Sequence, residues 1–431
     1  MSLLAPDPTR TAPLPLRAQA DIRDRWLSER LLELLPVLMD RTGIDLWVVA
    51  GRECNEDPVL ATLLPATWLS ARRRTVLLLH RSDDGVTPVA VSRYPVGLFL
   101  PAETADDGAA PDDEWAVVRR FVEQADPARI GIDVSADFAH ADGLSHTEHA
   151  QLVAALGPWA DRLVPAEQLA VGWLETRLPG EVAALHGLYR LTCEVVTDAF
   201  AAVAPGRTTA IDLAWALRQR MHDLGVEPWF QPSVTLQRAG VPLAEQGGAL
   251  LPAVPFDAVV EPGDLVHCDL GLTSLGLRTD AQRTAYVLRP GETEAPAGLR
   301  ELLAAGNRVQ DLTLAELRPG RTGNEVLAAA RAAAAAAGIE ADVYSHPVGV
   351  HGHGAGPAIG RWDRQSGVPG EGDHPVRVDT AWALELAVRQ PVAEWDGQCV
   401  RLGLEQGVVL TGDGAGYLDR RQTELLLVPA G

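Results

Sequence analysis

The sequence predicts a two-domain protein in which an α/β domain is followed by an α+β domain built on a repeated α-α-β unit. Two observations predict this fold class. The chain opens with a helical pattern that runs directly into an apolar strand pattern. Its second half contains the residues Pro-Gly-Arg-Thr twice, at 205–208 and at 319–322. A length of 431 residues also indicates more than one domain.

Alternating helix and strand patterns define the first domain. Apolar residues recur at helical spacing from Ile22 to Met39, and turn-rich joints separate the apolar runs that follow. We expect strands at Ile44–Ala50, Thr75–His80, Pro88–Tyr94 and Ala128–Ser135, and then a helical stretch to about Leu156. Because Pro179 and Gly180 precede a long helix, we predict a loose tail over 1–20, an α/β domain over 21–175 and a second domain over 176–431.

An internal repeat organises the second domain. The two Pro-Gly-Arg-Thr segments are displaced by 114 residues, and each stands between two helical patterns. The second helix of each pair ends near a glycine, Gly225 or Gly338, and these are displaced by 113 residues. A duplicated α-α-β unit explains both coincidences. The alternative is a common helix, turn and N-cap signal that is used twice, because threonine caps helices well.

Composition excludes several classes of function. The chain has 58 Asp and Glu against 37 Lys and Arg, and a net charge of −21 repels phosphate backbones, so nucleic acid is not an expected partner. The sequence contains no lysine, which excludes P-loop, Schiff-base and Ser–Lys chemistry. No apolar run has the length of a membrane span. Four cysteines without CxxC spacing indicate reduced thiols, so we expect a cytoplasmic protein without a membrane partner.

Two aspartates in apolar strand patterns suggest a metal site. Asp269 stands between Val266 and Leu272, and Asp280 follows it by 11 residues in a second strand pattern. Two antiparallel strands joined by the turn at 271–276 would bring both carboxylates to one place, as divalent metals require. The alternative is that one aspartate caps a turn while the other faces water.

Histidines and glutamates further along the chain strengthen this hypothesis. His346, His351 and His353 lie among glycines, where the backbone can approach a ligand closely. Glu385 and Glu405 each lie within an apolar strand pattern, and no adjacent basic residue explains both. Two aspartates, two glutamates and one histidine form a plausible ligand set for two metal ions.

The motifs resemble those of a known family. Residues 263–284, GDLVHCDLGLTSLGLRTDAQRT, resemble the two-aspartate signature of the pita-bread metallopeptidases, which include aminopeptidase P, prolidase and methionine aminopeptidase. Residues 352–356, GHGAG, are similar to its histidine segment, and ALELAV and RLGLEQGVVLT to its two glutamate strands. The opening segment is similar to the creatinase-like N-terminal domain of the aminopeptidase P and prolidase branch. The resemblance implies a pita-bread domain with pseudo-twofold symmetry, preceded by a smaller α/β domain.

The resemblance also implies the role of each candidate residue. Asp269 would bind one metal ion and Asp280 would bridge two, while His353 and Glu385 would bind the second ion and Glu405 would be the other bridge. Glu385 would in addition carry a proton during catalysis. Two divalent cations would activate a water molecule and polarise the scissile carbonyl. Manganese, cobalt and zinc all suit such a site.

Several positions depart from the family pattern. The family has a second histidine seven residues after the metal histidine, where this chain has Gly360, and another histidine upstream of the first aspartate, which is missing. It also has an arginine two residues before the last glutamate, where this chain has Gly403, so Arg401 is the candidate substitute.

The remaining histidines and one tryptophan are further candidates. His346 and His351 are candidate catalytic residues that would replace the missing histidine, although a histidine in a turn is often only structural. His351 also competes with His353 as the metal ligand, because both fit the glycine pattern. Trp362, like Arg401, is a candidate substrate-binding residue.

We therefore expect a dinuclear-metal peptidase that acts on short peptides at Xaa-Pro bonds and forms a homodimer. Two alternatives stay open. One is a related metallohydrolase with altered specificity, such as a carboxypeptidase or an enzyme for another amide. The other is a noncatalytic binding protein with the same fold.

Overall fold

A computed structural model of the chain describes residues 13–92, 95–102, 114–246 and 249–430. The chain divides into two compact units, one of residues Pro15–Leu174 and one that begins at Glu175. No helix in these described ranges is both long enough and apolar enough to cross a membrane.

The first unit is a six-stranded mixed sheet with helices packed on it. Its strand order is β4-β3-β2-β1-β5-β6, and β1 pairs antiparallel with β2 but parallel with β5. Its elements are α1 (Leu16–Glu29), a π-helical segment (Arg30–Leu34), α2 (Leu35–Thr42), β1 (Leu46–Arg52), α3 (Pro58–Leu63), β2 (Arg74–Ser82), β3 (Gly85–Val91), β4 (Leu100–Pro101), α4 (Glu114–Ala125), β5 (Ile130–Ile132), α5 (His146–Leu156), β6 (Leu163–Pro165) and α6 (Glu167–Glu175).

This unit contains the elements that the sequence patterns predict, with shifted ends. The predicted strands correspond to β1, β2, β3 and β5, and the predicted first helix is divided by the π-helical segment. Helix α1 begins at Leu16, inside the segment 1–20 that we expected to be a tail. Residues 1–12 of that segment, and Tyr94 at the end of the third predicted strand, lie outside the described residues.

The second unit holds a nine-stranded sheet and four helices among the described residues. The main path of the sheet is β15-β17-β18-β14-β11-β8. The elements of the second unit are α7 (Pro179–Ala201), α8 (Ala210–Asp223), β7 (Glu227–Pro228), β8 (Ser233–Gln237), β9 (Ala244–Gln246), β10 (Ala249–Leu251), β11 (Leu265–Leu270), β12 (Leu272–Ser274), β13 (Leu277–Arg278), β14 (Ala281–Val287), α9 (Ala297–Glu316), α10 (Gly323–Ala336), β15 (Glu340–Val343), β16 (His346–Pro347), β17 (Thr380–Val392), β18 (Gln398–Thr411), β19 (Gly414–Tyr417) and β20 (Leu426–Val428).

The repeat in the sequence is also a repeat in the structure. Helices α8 and α10 both begin with a capping box, whose cap residues are Thr209 and Thr322. The N–H groups of Gly206 and Gly320, both at positive φ, each donate to a carbonyl of a later segment, at 2.8 Å. Because these bonds extend beyond the caps, the two copies are equivalent units and not a shared cap signal. In the first copy the cap is Thr209, one residue after the Pro-Gly-Arg-Thr segment.

Alternation along β17 and β18 separates the core from the site. Leu384, Leu386, Leu402 and Leu404 are buried in a core that also contains side chains of α9 and α10. Side chains of successive strand residues point to opposite faces, so Glu385 and Glu405 lie on the face away from this core. The two glutamates are direct partners in the antiparallel pairing of β17 with β18.

Candidate metal centre

Five side chains, each in a strand or immediately before one, converge on one side of the large sheet. Asp269 is in β11, Asp280 immediately precedes β14, and His346 begins β16. Strand β14 pairs with β18, and this pairing places Gln282 opposite Glu405. The strands β11 and β14, which carry or follow the two aspartates, therefore lie beside the strands that carry the two glutamates. Pairing of β16 with β17 places His346 opposite Ala383, on the same face of β17 as Glu385.

Distances within the cluster are short enough for shared metal ligands. The His346 Nε2 atom lies 3.7 Å from Asp280 Oδ2, 3.9 Å from Glu385 Oε2 and 3.6 Å from Glu405 Oε1. Three groups have potential ligand atoms within 4.8 Å of one another: Asp269, Asp280 and Glu405; His346, Glu385 and Glu405; and Asp280, His346 and His353. Asp280, His346 and Glu405 each belong to two of these groups, so the three groups form one connected cluster.

Unsatisfied polar atoms show that the cluster fits divalent cations. Asp269 Oδ1, Asp280 Oδ1, His346 Nε2 and both carboxylate oxygens of Glu405 are buried and hydrogen-bond to no described residue. Buried polar atoms without partners are costly, and oxygen atoms with one imidazole are suitable ligands for divalent metals. The donor set therefore fits metal ions.

The carboxyl groups of the cluster all have raised pKa values. Burial raises the pKa of Asp269 to about 7. Burial, and secondarily repulsion from Glu405 or from Asp269, raises the pKa of Asp280, Glu385 and Glu405 well above the ordinary range. For His346, burial lowers the pKa to about 4, so its imidazole is neutral and available as a ligand near pH 7. The cluster thus has an excess of negative charge that bound cations would compensate.

The structure places His346, rather than His353, against both glutamates. His353 is exposed, and its ring packs edge-on against His346 at a centroid distance of 4.6 Å. Its other neighbour is Trp229, at 5.1 Å, whose indole donates to the Thr279 carbonyl. The sequence could not separate the two histidines because both stand in the same glycine-rich run. Strand pairing with β17, which the sequence does not reveal, selects His346.

This placement also changes the interpretation of the missing second histidine. Counting seven residues from His346 leads to His353, so the spacing expected from the family resemblance is present. Gly360, the position counted from His353, has φ +75°, and a Cβ there would lie 2.3 Å from the Val343 carbonyl oxygen. A histidine at 360 would be strained and would clash with backbone. His351, the remaining candidate, belongs to none of the three ligand groups of the described residues.

A cavity of about 580 Å³ opens beside the cluster. Asp269, Glu385 and His353 line it together with Trp362 and Arg401, the two predicted substrate-binding residues. Trp362 is 48% exposed, so its ring stands at the cavity surface rather than in the core.

Arg401 is held at the cavity wall by two neighbours. Its Nη2 donates to the Tyr344 hydroxyl at 2.7 Å, and the Gln237 side chain bonds both its backbone N–H and its carbonyl. Among the described residues, no carboxylate oxygen forms an ion pair with this guanidinium within 4.0 Å, although its charge opposes the rise in the pKa of Glu385. Arg401 is therefore a positioned cation that faces the cavity without a carboxylate partner in the described chain.

Two polar side chains beside the cluster were not predicted from the sequence. The His267 Nε2 atom lies 3.0 Å from the Gln282 amide oxygen. The Gln282 amide nitrogen donates a hydrogen bond to Glu385 Oε1 at 2.5 Å. Strand alternation could have indicated both residues, because residues two apart in a strand share a face. His267 stands two residues before Asp269, and Gln282 stands two residues after Asp280.

Comparison with protein families gives the class of this protein. Residues 184–411, more than half of the chain, match metallopeptidase family M24, and the chain belongs to that family. It is therefore a metallopeptidase of a divalent-metal-dependent family, as the motif resemblance implied. No curated protein sequence matches the chain.

Solved structures share the fold over both units. An X-Pro aminopeptidase from Thermotoga maritima has 18% identity and a TM-score of 0.64, with 90% of this chain and 99% of that chain covered. Dipeptidase PepE from Mycobacterium ulcerans has 20% identity and a TM-score of 0.62, with 95% and 99% covered. A prolidase from Pyrococcus horikoshii has 16% identity and a TM-score of 0.58, with 91% and 98% covered. The predicted pita-bread fold of the aminopeptidase P and prolidase branch is confirmed.

Proposed function

We propose that the protein is a dinuclear-metal peptidase that hydrolyses short peptides at Xaa-Pro bonds. The five ligands in this proposal are Asp269, Asp280, His346, Glu385 and Glu405. The observation that carries it is the position of Glu405, whose two unpartnered oxygens lie between the aspartate group and the group of His346 and Glu385. Four ionised carboxylates in this space carry a charge of −4, which two divalent cations neutralise. Manganese, cobalt and zinc are the proposed metals.

The chain supplies positioning and proton transfer in this proposal. When bound, the metal ions supply an activated water molecule and polarise the peptide carbonyl. The family resemblance assigns proton transfer during catalysis to Glu385, whose carboxylate lies within the ligand group. His353 is exposed beside the ligands, where its ring can donate a hydrogen bond to the substrate. We therefore assign His353, instead of His346 or His351, the role of substrate contact.

Arg401 supports short peptides as the substrate class. A guanidinium without a carboxylate partner at the cavity wall suits the free carboxylate at a peptide's C-terminus. Trp362 lines the same cavity and is proposed to pack against the substrate. The aminopeptidase, dipeptidase and prolidase names of proteins with this fold support an exopeptidase that acts near proline. A homodimer in the cytoplasm, without nucleic-acid or membrane partners, completes the proposal.

One observation favours a related hydrolase with altered specificity as the second candidate. Gly403 stands where the family resemblance expects arginine, so the cavity wall differs at that point. An enzyme that takes another amide, or the carboxyl end of longer peptides, would use the same metal cluster with this changed wall.

Metal analysis and a matched peptide series test the proposal. The enzyme is loaded with Mn²⁺, Co²⁺ or Zn²⁺ and assayed on Ala-Pro, Ala-Ala, Ala-Pro-Ala and Ala-Pro amide, with Asp280→Asn as the inactive control. Two bound ions with fastest cleavage of Ala-Pro support the proposal. Two ions with cleavage of other amides only would favour the second candidate. A protein that binds no metal would refute both.

A further inference from the structure

Gly403 leaves room beside the cluster that two other side chains fill. A Cβ at this position would lie 2.7 Å from Gln282 Oε1 and 3.0 Å from His267 Nε2, closer than side chains normally approach. Gly403 stands on β18 between Arg401 and Glu405, on the face that carries the cluster. An alanine at 403 would therefore require the ends of the His267 and Gln282 side chains to move from their observed positions.

The direction of the hydrogen bonds in this group is fixed by chemistry. A carboxylate only accepts hydrogen bonds, so the Gln282 amide nitrogen must face Glu385 and its amide oxygen must face His267. His267 must then carry its proton on Nε2 in order to donate to that oxygen. The chain of donors runs from His267 through Gln282 to Glu385 Oε1.

The two oxygens of Glu385 thus have different partners. Oε1 accepts from Gln282 at 2.5 Å, and Oε2 is the oxygen that lies 3.9 Å from His346 Nε2 within the ligand group. We propose that His267 and Gln282 are positioning residues that orient Glu385 to offer one oxygen to the metal centre, and that Gly403 is the residue that admits them. We call this group the His267–Gln282 relay. The inference rests on the metal centre proposed above.

Packing alone would not require this arrangement. Gln282 is 4% exposed, so both ends of its amide need hydrogen-bond partners. If the side chain only filled space, any carboxylate could be the partner of its donor end. Here its donor end hydrogen-bonds Glu385 Oε1, a proposed ligand, and the same amide also opposes the rise in the pKa of neighbouring Asp269 and Glu405. Outer hydrogen bonds to metal ligands fix ligand orientation, and their loss typically lowers metal affinity about 10–100-fold.

The test is titration of the metal-free protein with Mn²⁺ by calorimetry, at several pH values, without substrate. Gln282→Met keeps the side-chain length but removes the amide, and Gly403→Ala displaces the relay while all its side chains remain. His267→Phe removes the donor, whereas His267→Gln retains an N–H at a similar reach. Gly416→Ala, in the neighbouring strand β19 where a Cβ meets nothing within 4 Å, is the matched control.

The expected result is a loss of Mn²⁺ affinity of about 10–100-fold in Gln282→Met and Gly403→Ala. The pH of half-saturation should rise in both, because an unsupported carboxylate binds protons more tightly. His267→Phe should lose affinity, His267→Gln should recover most of it, and Gly416→Ala should match the unmodified protein. Circular dichroism verifies that each variant is folded. If Gln282→Met is unfolded, the Mn²⁺ affinity of Gly403→Ala tests the inference.

Two results would overturn the inference. If folded Gln282→Met and Gly403→Ala bind Mn²⁺ with unchanged affinity and unchanged pH dependence, the relay does not position Glu385, while the metal centre itself stands. If the unmodified protein binds no divalent metal, the relay and the proposed function are both wrong.

Discussion

Removing metal from this protein should make its stability fall as the pH rises from about 4 to 7. In the metal-free state, burial raises the pKa of Asp269 to about 7 from an ordinary value of 3.8. Between these two pH values the folded protein holds a proton that the unfolded chain has released. Since stability changes with pH in proportion to the protons bound by the unfolded state minus those bound by the folded state, the free energy of unfolding decreases.

The magnitude follows from the same shift. A rise from 3.8 to about 7 is roughly three pH units, and each unit corresponds to 1.36 kcal/mol, so Asp269 alone accounts for about 4 kcal/mol. For a domain of this size that is a melting-temperature change of about 10 °C. The pKa values of Asp280, Glu385 and Glu405 move in the same direction, so the observed titration belongs to the whole cluster.

The assay is thermal unfolding of chelator-treated protein at pH 5 and pH 7, with and without added Mn²⁺. The metal-free protein should melt at a lower temperature at pH 7, and added metal should raise that melting temperature by replacing the protons with cations. Asp269→Asn, which cannot ionise, should flatten the pH dependence of the metal-free protein. Equal or greater stability of the metal-free protein at pH 7 would refute the charge-crowding argument.

Three further predictions concern single residues. Asp280→Asn should lower kcat/KM by more than about a hundredfold, because a shared anionic ligand becomes a neutral amide; wild-type turnover with unchanged metal content would contradict its role. His346→Ala should lose bound metal by elemental analysis, whereas His353→Ala should keep the metal and lose turnover, and the reverse pattern would restore His353 as the ligand. Arg401→Met should raise KM for Ala-Pro about tenfold or more and leave that for Ala-Pro amide unchanged; equal effects on both substrates would argue against carboxylate binding.

Local patterns were sufficient to predict most of the fold. The apolar runs of the sequence predicted β1 and β2, because burial of both sheet faces favours continuous apolar sequence. The strand patterns around Asp269 and Asp280 predicted β11 and β14. The repeat was visible because equivalent helices need equivalent caps, and Thr209 and Thr322 cap α8 and α10 in the same way. Helix and strand ends were less predictable, since they depend on hydrogen-bond partners elsewhere in the chain.

The convergence of the four carboxylates could be predicted for a physical reason, whereas the histidine that lies beside the two glutamates could not. An acidic residue within an apolar strand requires a compensating partner, so Asp269, Glu385 and Glu405 stood out in the sequence. Histidine occurs in turns, in cores and in functional sites. The local sequence therefore did not distinguish the three histidines of the glycine-rich segment from one another.

The sequence by itself determined the class of the fold, the repeat and the inventory of acidic groups, because these depend on local propensity and on the cost of burying charge. Tertiary structure decided which groups meet. Pairing of β16 with β17 brings His346, rather than His353, to the glutamates, and the absent side chain at Gly403 admits His267 and Gln282. Both outcomes depend on distances between strands that are far apart in the chain, and no local pattern contains those distances.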